Sequence, residues 1–213
     1  TRMQPQQLLS LADKFGTPLF VYDADRMEGQ YTRLKNAFGK LDVNIQYACK
    51  ALSNQAVLQL FNKLGAGLDT VSIEEVQLGL KAGFTPERII YTPNGVGFAE
   101  IQEAVKLGVK VNIDNLVMLE KFGNTYGSSY PVCVRLNPHI IAGGNHKIQV
   151  GHIDSKFGIS IHQMRHLTRI VEAYKIHVNG LHMHTGSDIL DVGVFLQGSE
   201  LLLDAAFQFK ELE

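Results

Sequence analysis

The chain has 213 residues, 45% of them hydrophobic, and its 20 Lys and Arg nearly balance its 21 Asp and Glu. That hydrophobic fraction excludes general disorder, and the charge balance offers no basic footprint for nucleic acid. No apolar run is long enough for a membrane-spanning helix, and the two cysteines, Cys49 and Cys133, form neither a disulfide framework nor a metal-binding spacing, so a reducing, cytoplasmic compartment is expected.

The N-terminus, Thr1–Pro5, has no apolar signal segment and no initiator Met, and is expected to have been trimmed. A helix is predicted over Gln6–Phe15, a strand over Leu19–Tyr22 and a helix over Asp25–Phe38. From there β-rich runs alternate with amphipathic ones. Strand Val43–Cys49 precedes helix Asn54–Leu64, Gly67–Val71 precedes Ile73–Ala82, and Arg88–Thr92 precedes Phe98–Leu107. Val109–Ile113 precedes Leu116–Phe122, strand Tyr130–Leu136 is followed at a distance by helix Ile161–Tyr174, and Val178–His184 precedes Phe195–Leu212. Phe98, Ile101 and Val105 make one apolar stripe, and Gly65, Gly83 and Gly108 stand where a positive φ closes a helix.

This repetition predicts a parallel sheet, either a closed (β/α)₈ barrel or an open doubly wound sheet. No GxGxxG follows the first strand, so the dinucleotide-binding fingerprint is missing. The segment Asn137–Gly158 is glycine-rich and predicted to be a functional or mobile loop. Six strands after the first fit a barrel series. A whole barrel takes about 250 residues, so a chain ending at Glu213 inside a helical pattern is expected to be incomplete.

The candidates for chemistry cluster at predicted strand ends. Lys50 follows Val43–Cys49, where barrel active sites sit; it reads either as an exposed strand-end lysine or as a partly desolvated amine suited to Schiff-base chemistry. Cys49 faces away from it, as core packing. His182 and His184 share one strand face, which suits a structural pair, two of three metal ligands, or an imidazole stacked on an aromatic cofactor. Gly186 and Ser187 then form a turn able to bind phosphate. Arg135, ending Tyr130–Leu136, suits an anion or a rim salt bridge; Asp69, ending Gly67–Val71, suits either a partner of Lys50 or a helix cap. Asp154–Gly158 reads as a closing loop or a solvated turn. The remaining histidines, His139, His146, His152, His162, His166 and His177, show no ligand spacing and read as surface or loop residues.

Taken together, Thr17–Asp23, Tyr47–Ala51, Val134–Pro138, Ser155–Gly158 and Gly180–Ser187 occur in an order that resembles the diaminopimelate decarboxylases, in the alanine-racemase-like class of pyridoxal 5'-phosphate (PLP) enzymes. The resemblance implies a (β/α)₈ TIM barrel over residues 41–213, truncated at its C-terminus. Residues 1–40 would contribute a helix and a strand to a separate β domain. It implies that Lys50 bonds covalently to PLP, that His184 lies against the pyridine ring, that Ser187 with Gly186 contacts the phosphate, and that Arg135 and Asp69 support them. The implied reaction is decarboxylation of meso-diaminopimelate to L-lysine and CO₂ by a cytoplasmic homodimer. The implied partner is a small amino acid, and no metal, nucleic acid or membrane is involved. A related ornithine, arginine or carboxynorspermidine decarboxylase, a racemase of the same class, and a non-catalytic PLP-binding or regulatory homologue are the alternatives. The glycine-rich phosphate loop, the glutamate for the pyridine nitrogen and a catalytic Cys and Tyr are expected beyond Glu213, so the fragment alone is expected to be inactive.

Overall fold

The computed structural model describes residues 3–140, 157–187 and 189–209. Two helices open the chain, α1 (Pro5–Phe15) and α2 (Ala24–Ala37). Asp23 starts α2 by accepting from the Arg26 backbone N–H at 3.0 Å. Between the helices, the predicted strand Leu19–Tyr22 does not form. Among the described residues it has no sheet partner, and Leu19, Phe20 and Tyr22 are exposed. A run of β-prone residues marks a segment that is able to pair, but a strand also needs a neighbour offering N–H and C=O groups.

Seven parallel strands follow among the described residues: β1 (Gln46–Ala48), β2 (Gly67–Thr70), β3 (Ile89–Tyr91), β4 (Lys110–Ile113), β5 (Val132–Asn137), β6 (Ile159–Ser160) and β7 (Val178–Met183). The helices between and after them are α3 (Gln55–Leu64), α4 (Ile73–Lys81), α5 (Phe98–Lys106), α6 (Leu116–Tyr126), α7 (Met164–Tyr174) and α8 (Val192–Ala206). β1 to β5 lie side by side in chain order, and β5 then pairs with both β6 and β7. Sequential order with crossovers of one hand keeps the helices on a single face, as in a barrel wall; a doubly wound sheet reverses its order part-way. The structure takes the barrel alternative, as an unclosed arc.

The outer face of that arc is the core. Leu68, Ile89, Tyr91, Val111, Ile113, Val132 and Val134 are buried there with Leu58, Ile101, Leu119, Phe122 and Leu167 from the helices. Tyr47 of β1 stacks on Phe61 of α3 at 4.1 Å, and Tyr31 of α2 meets the same ring edge-on at 6.3 Å, which ties α2 to the wall. Gly65, Gly83 and Gly108 have φ of 91°, 92° and 75°, the helix stops expected of them.

Boundaries differ where pairing or capping decides. β1 is shorter than Val43–Cys49 because its register covers only Gln46–Ala48 against Gly67–Asp69. α6 runs past Phe122 to Tyr126, whose ring packs on Phe122 at 4.9 Å. α8 starts at Val192 because the Asp191 carboxylate accepts from the Gly193 N–H at 2.8 Å, and it ends at Ala206 rather than Leu212. β6 was not predicted; two residues carry too little pattern to read.

Candidate functional site

Side chains alternate across a strand, so the residues between the outward apolar ones point to the inner face. That face is polar at its carboxyl end. Asp69 of β2, Thr92 after β3, Asn112 of β4, Asp114 after β4, Arg135 of β5 and His182 of β7 converge there, and Thr92, Asn112, Asp114 and Arg135 are buried. Thr92 Oγ1 donates to Asp69 Oδ1 at 2.7 Å, and Asn112 Nδ2 donates to Thr92 Oγ1 at 2.8 Å. Asp114 accepts from Asn115 Nδ2 at 2.9 Å and from Asn94 Nδ2 at 2.5 Å. Register places Asn112 opposite Cys133 and Arg135 opposite His182. Thr92, Asn112 and Asp114 escaped the sequence reading; the one signal is on β4, where Lys110, Asn112 and Asp114 alternate with Val111 and Ile113.

Lys50 sits in the single 3₁₀ turn Cys49–Ala51 directly after β1. Cys49 turns into the core, as expected, and burial, with Glu75 and Asp69 adding, pushes its thiol up to about 11. Lys50 itself is exposed, the first of the two readings open for it, in a turn directly beyond the end of β1. It still lies over the polar face. Its charge favours ionised Asp69 and disfavours protonated His184. Lys50 from the first strand of the arc and His184 from the last therefore share one mouth.

The charges there are mutually adjusted. Burial raises the Asp69 carboxyl above its ordinary value; the Thr92 bond, then Lys50 and Arg135, oppose the rise. Burial works against the Arg135 guanidinium, and Asp114 and Asp69 support it. Its guanidinium carbon lies 5.0 Å from the centre of the Phe157 ring. Burial, Arg135 and His184 push His182 down to about 4, and its Nδ1 has no hydrogen-bond partner among the described residues. Burial, Arg135 and Lys50 also lower His184 from its ordinary 6.5. His182 and His184 thus present neutral, flat rings at neutral pH.

Gly186 (φ 143°) and the exposed Ser187 follow at the carboxyl end of β7, on the same rim. Of the predicted closing loop, Asp154–Lys156 lie outside the described residues, as do His146 and His152. Gly158 has φ 82°, and a Cβ there would stand 2.8 Å from the Leu136 carbonyl carbon, so only glycine brings Phe157 over Arg135 this closely. His139 is not a surface histidine: it is half-buried, stacks on His162 at 5.2 Å, and holds its Nε2 2.7 Å from Ser160 Oγ. Among the described residues no group of three or more His, Cys, Asp or Glu side chains is placed to hold a metal ion.

An amine, a buried guanidinium and a neutral flat imidazole over the carboxyl ends of parallel strands form the kind of site that receives a flat, anionic aldehyde. The family model for the pyridoxal binding domain of pyridoxal-dependent decarboxylases matches residues 24–212, and the chain belongs to that family. It is 36% identical over 205 residues to a diaminopimelate decarboxylase of Methanothermobacter thermautotrophicus, covering 95% of this chain and 48% of that protein. It is 33% identical over 214 residues to the Bacillus subtilis diaminopimelate decarboxylase, covering 96% and 47%. Among solved structures, the diaminopimelate decarboxylase of Helicobacter pylori complexed with L-lysine superposes with a TM-score of 0.83 at 30% identity, covering 94% of this chain and 52% of that one. A lysine/ornithine decarboxylase of Vibrio vulnificus complexed with putrescine gives 0.81 at 26% identity, covering 95% and 51%. The chain spans about half the length of the curated relatives it matches.

Proposed function

We propose that the full-length protein is a PLP-dependent carboxy-lyase that converts meso-diaminopimelate to L-lysine and CO₂, a lysine-biosynthetic reaction. The observation that carries this is the placement of Lys50 after β1 and His184 after β7 at the carboxyl ends of parallel strands whose inner face holds Asp69 and Arg135. The donor set suits PLP: an accessible primary amine for its aldehyde, a guanidinium for negative charge, and an uncharged imidazole for an aromatic face. When bound, PLP supplies an electron sink for the pair left behind as CO₂ departs.

In this reading the Lys50 amine would hold the cofactor covalently through its aldehyde carbon. The neutral His184 ring fixes the cofactor plane, and its depressed basicity keeps it from taking the proton that would disrupt the stacking. Gly186 and Ser187 contact the phosphate through backbone N–H groups and the hydroxyl. Asp69 balances the charge of Lys50 and Arg135 inside a low-dielectric mouth. Residues 1–40, with the exposed Leu19–Tyr22 stretch, contribute to a separate β domain, and residues 41–213 form the PLP-binding barrel. The protein works as a cytoplasmic homodimer.

The likeness to the Vibrio vulnificus lysine/ornithine decarboxylase supports a second reading, decarboxylation of ornithine or lysine, because the residues that distinguish a distal carboxylate from a distal amine are not among those described. One assay separates the two. Release of CO₂ by the full-length protein with PLP is measured on meso-diaminopimelate, ornithine, lysine and arginine. Release from meso-diaminopimelate alone supports the first reading, release from ornithine or lysine the second, and none from any substrate despite bound PLP eliminates both.

A further inference from the structure

The Asn112–Thr92–Asp69 chain spans three neighbouring strands, and none of the roles above requires Thr92 or Asn112. Thr92 and Asn112 are buried at 7% and 3% exposure. A buried hydroxyl and a buried amide are costly unless hydrogen-bonded, and sheet packing alone is met on the other face by Ile, Leu and Val. The chain also has a direction. Asn112 Nδ2 can only donate, so Thr92 Oγ1 accepts at 2.8 Å and keeps its own proton for Asp69 Oδ1 at 2.7 Å. A donor aimed at a carboxylate oxygen favours the ionised form and fixes which oxygen is turned inward.

We infer that Thr92 and Asn112 are positioning residues, which orient the Asp69 carboxylate at the rim that also carries Lys50. The inference rests on Lys50 being the reactive amine of the proposed function. The charged groups facing Asp69 come from two sides: Lys50 from the turn after β1 and Arg135 from β5. Asp114 supports the Arg135 charge, and Arg135 in turn disfavours protonation of His182 and His184 around the rim. Burial opposes the Asp69 charge, and the Thr92 bond is the largest of the forces restoring it, ahead of both cations. Thr92 thus does for Asp69 what exposed Lys50 and recessed Arg135 do less well, because a hydrogen bond at contact distance is not screened by water.

The test uses the full-length protein labelled with [¹³C]aspartate and two readouts. The first is the carboxyl-carbon titration of Asp69, identified by its absence in Asp69→Asn. The second is borohydride trapping of PLP on Lys50, followed by mass of the labelled peptide against pH. Thr92→Val, which keeps shape and removes the hydroxyl, is expected to move the Asp69 midpoint up by about one pH unit, a tenfold change in proton affinity. It is also expected to move the acid limb of Lys50 trapping in the same direction. Thr92→Ser restores both, and Asn112→Ala gives a smaller shift of the same sign, since it frees the Thr92 hydroxyl to rotate without deleting it. A merely structural role lowers the melting temperature at every pH and leaves both midpoints in place; that outcome overturns the inference. Should Thr92→Val fail to fold, an Asp69 midpoint in Asn112→Ala equal to that of the wild type overturns it equally. Absence of any PLP label on Lys50 in the wild type sinks the proposed function instead, and is distinguishable because the carbon titration does not depend on it.

Discussion

Leu68 and Asp69 are neighbours on β2 and share one stretch of backbone, yet they answer to different physics. Leu68 is fully buried among apolar side chains, where volume and shape decide its worth. Asp69, one residue on and facing the other way, accepts from the Thr92 hydroxyl, and burial raises its carboxyl above the ordinary value against the pull of that bond, Lys50 and Arg135. The same contrast runs along β4, with Val111 and Ile113 outward and Asn112 inward, and along β5, with Val132 and Val134 outward and Arg135 inward. The outer face holds the fold and tolerates exchange among apolar residues of like volume. The inner face holds charge in place, and each member depends on a particular partner.

Substitutions on the two faces test that division. Lys50→Ala is expected to abolish CO₂ release and the covalent PLP signal. It should leave the urea unfolding midpoint of the cofactor-free protein where it was, because the side chain is exposed. A shifted midpoint would show that the lysine also carries the fold. Phe122→Ala on the outer layer is the mirror case. Phe122 is fully buried, and its removal is expected to cost about 3–5 kcal/mol by denaturant titration. PLP trapping on the fraction that stays folded should remain normal. A loss under about 1 kcal/mol would mean that this layer collapses onto the gap instead of leaving a cavity.

The inner face should also give the stability a pH dependence that the outer face does not. His182 has a folded value of about 4 against an ordinary 6.5, because burial and the neighbouring Arg135 and His184 disfavour its cation. In that interval the unfolded chain binds a proton that the folded chain refuses. The contribution of His182 is therefore whole above pH 6.5 and is lost as pH falls toward 4. His182→Gln removes this term, so the stability difference between pH 6.5 and pH 4 should be smaller in the variant than in the wild type. Equal slopes in the two proteins would place the imidazole in water rather than under Arg135.

The division also explains what could be read from the chain beforehand. The outer face was legible because burial of alternating Val, Ile and Leu, with glycine stops at Gly65, Gly83 and Gly108, is a local pattern repeated unit after unit. On the inner face Lys50, Asp69, Arg135 and His184 stood out as strand-end candidates, each with a structural reading beside it, and only the ordered set of motifs singled them out. Thr92, Asn112 and Asp114 did not, because one polar residue beside a strand looks the same whether it faces water or a neighbour across the arc. Only the register that brings Asn112 and Thr92 into contact gives them meaning. Leu19–Tyr22 differs again: its residues are β-prone, but sheet formation depends on a partner, and none lies among the described residues.

The smallest expected effect concerns the point where a loop touches the inner face. Phe157 covers the Arg135 guanidinium at 5.0 Å, an arrangement worth about 1 kcal/mol when partly desolvated. Phe157→Leu keeps an apolar cover and loses the ring face, so it isolates the electrostatic part of the contact. If Arg135 faces PLP as proposed, the variant should bind PLP a few-fold more weakly while its unfolding midpoint barely moves. Phe157→Tyr should bind as the wild type does, since the hydroxyl leaves the ring face in place. Weakening in Tyr as well as Leu would point to shape instead of charge. The loop that carries Phe157 would then belong with the packed outer layer, and the boundary between the two faces would run through Gly158 rather than along the strands.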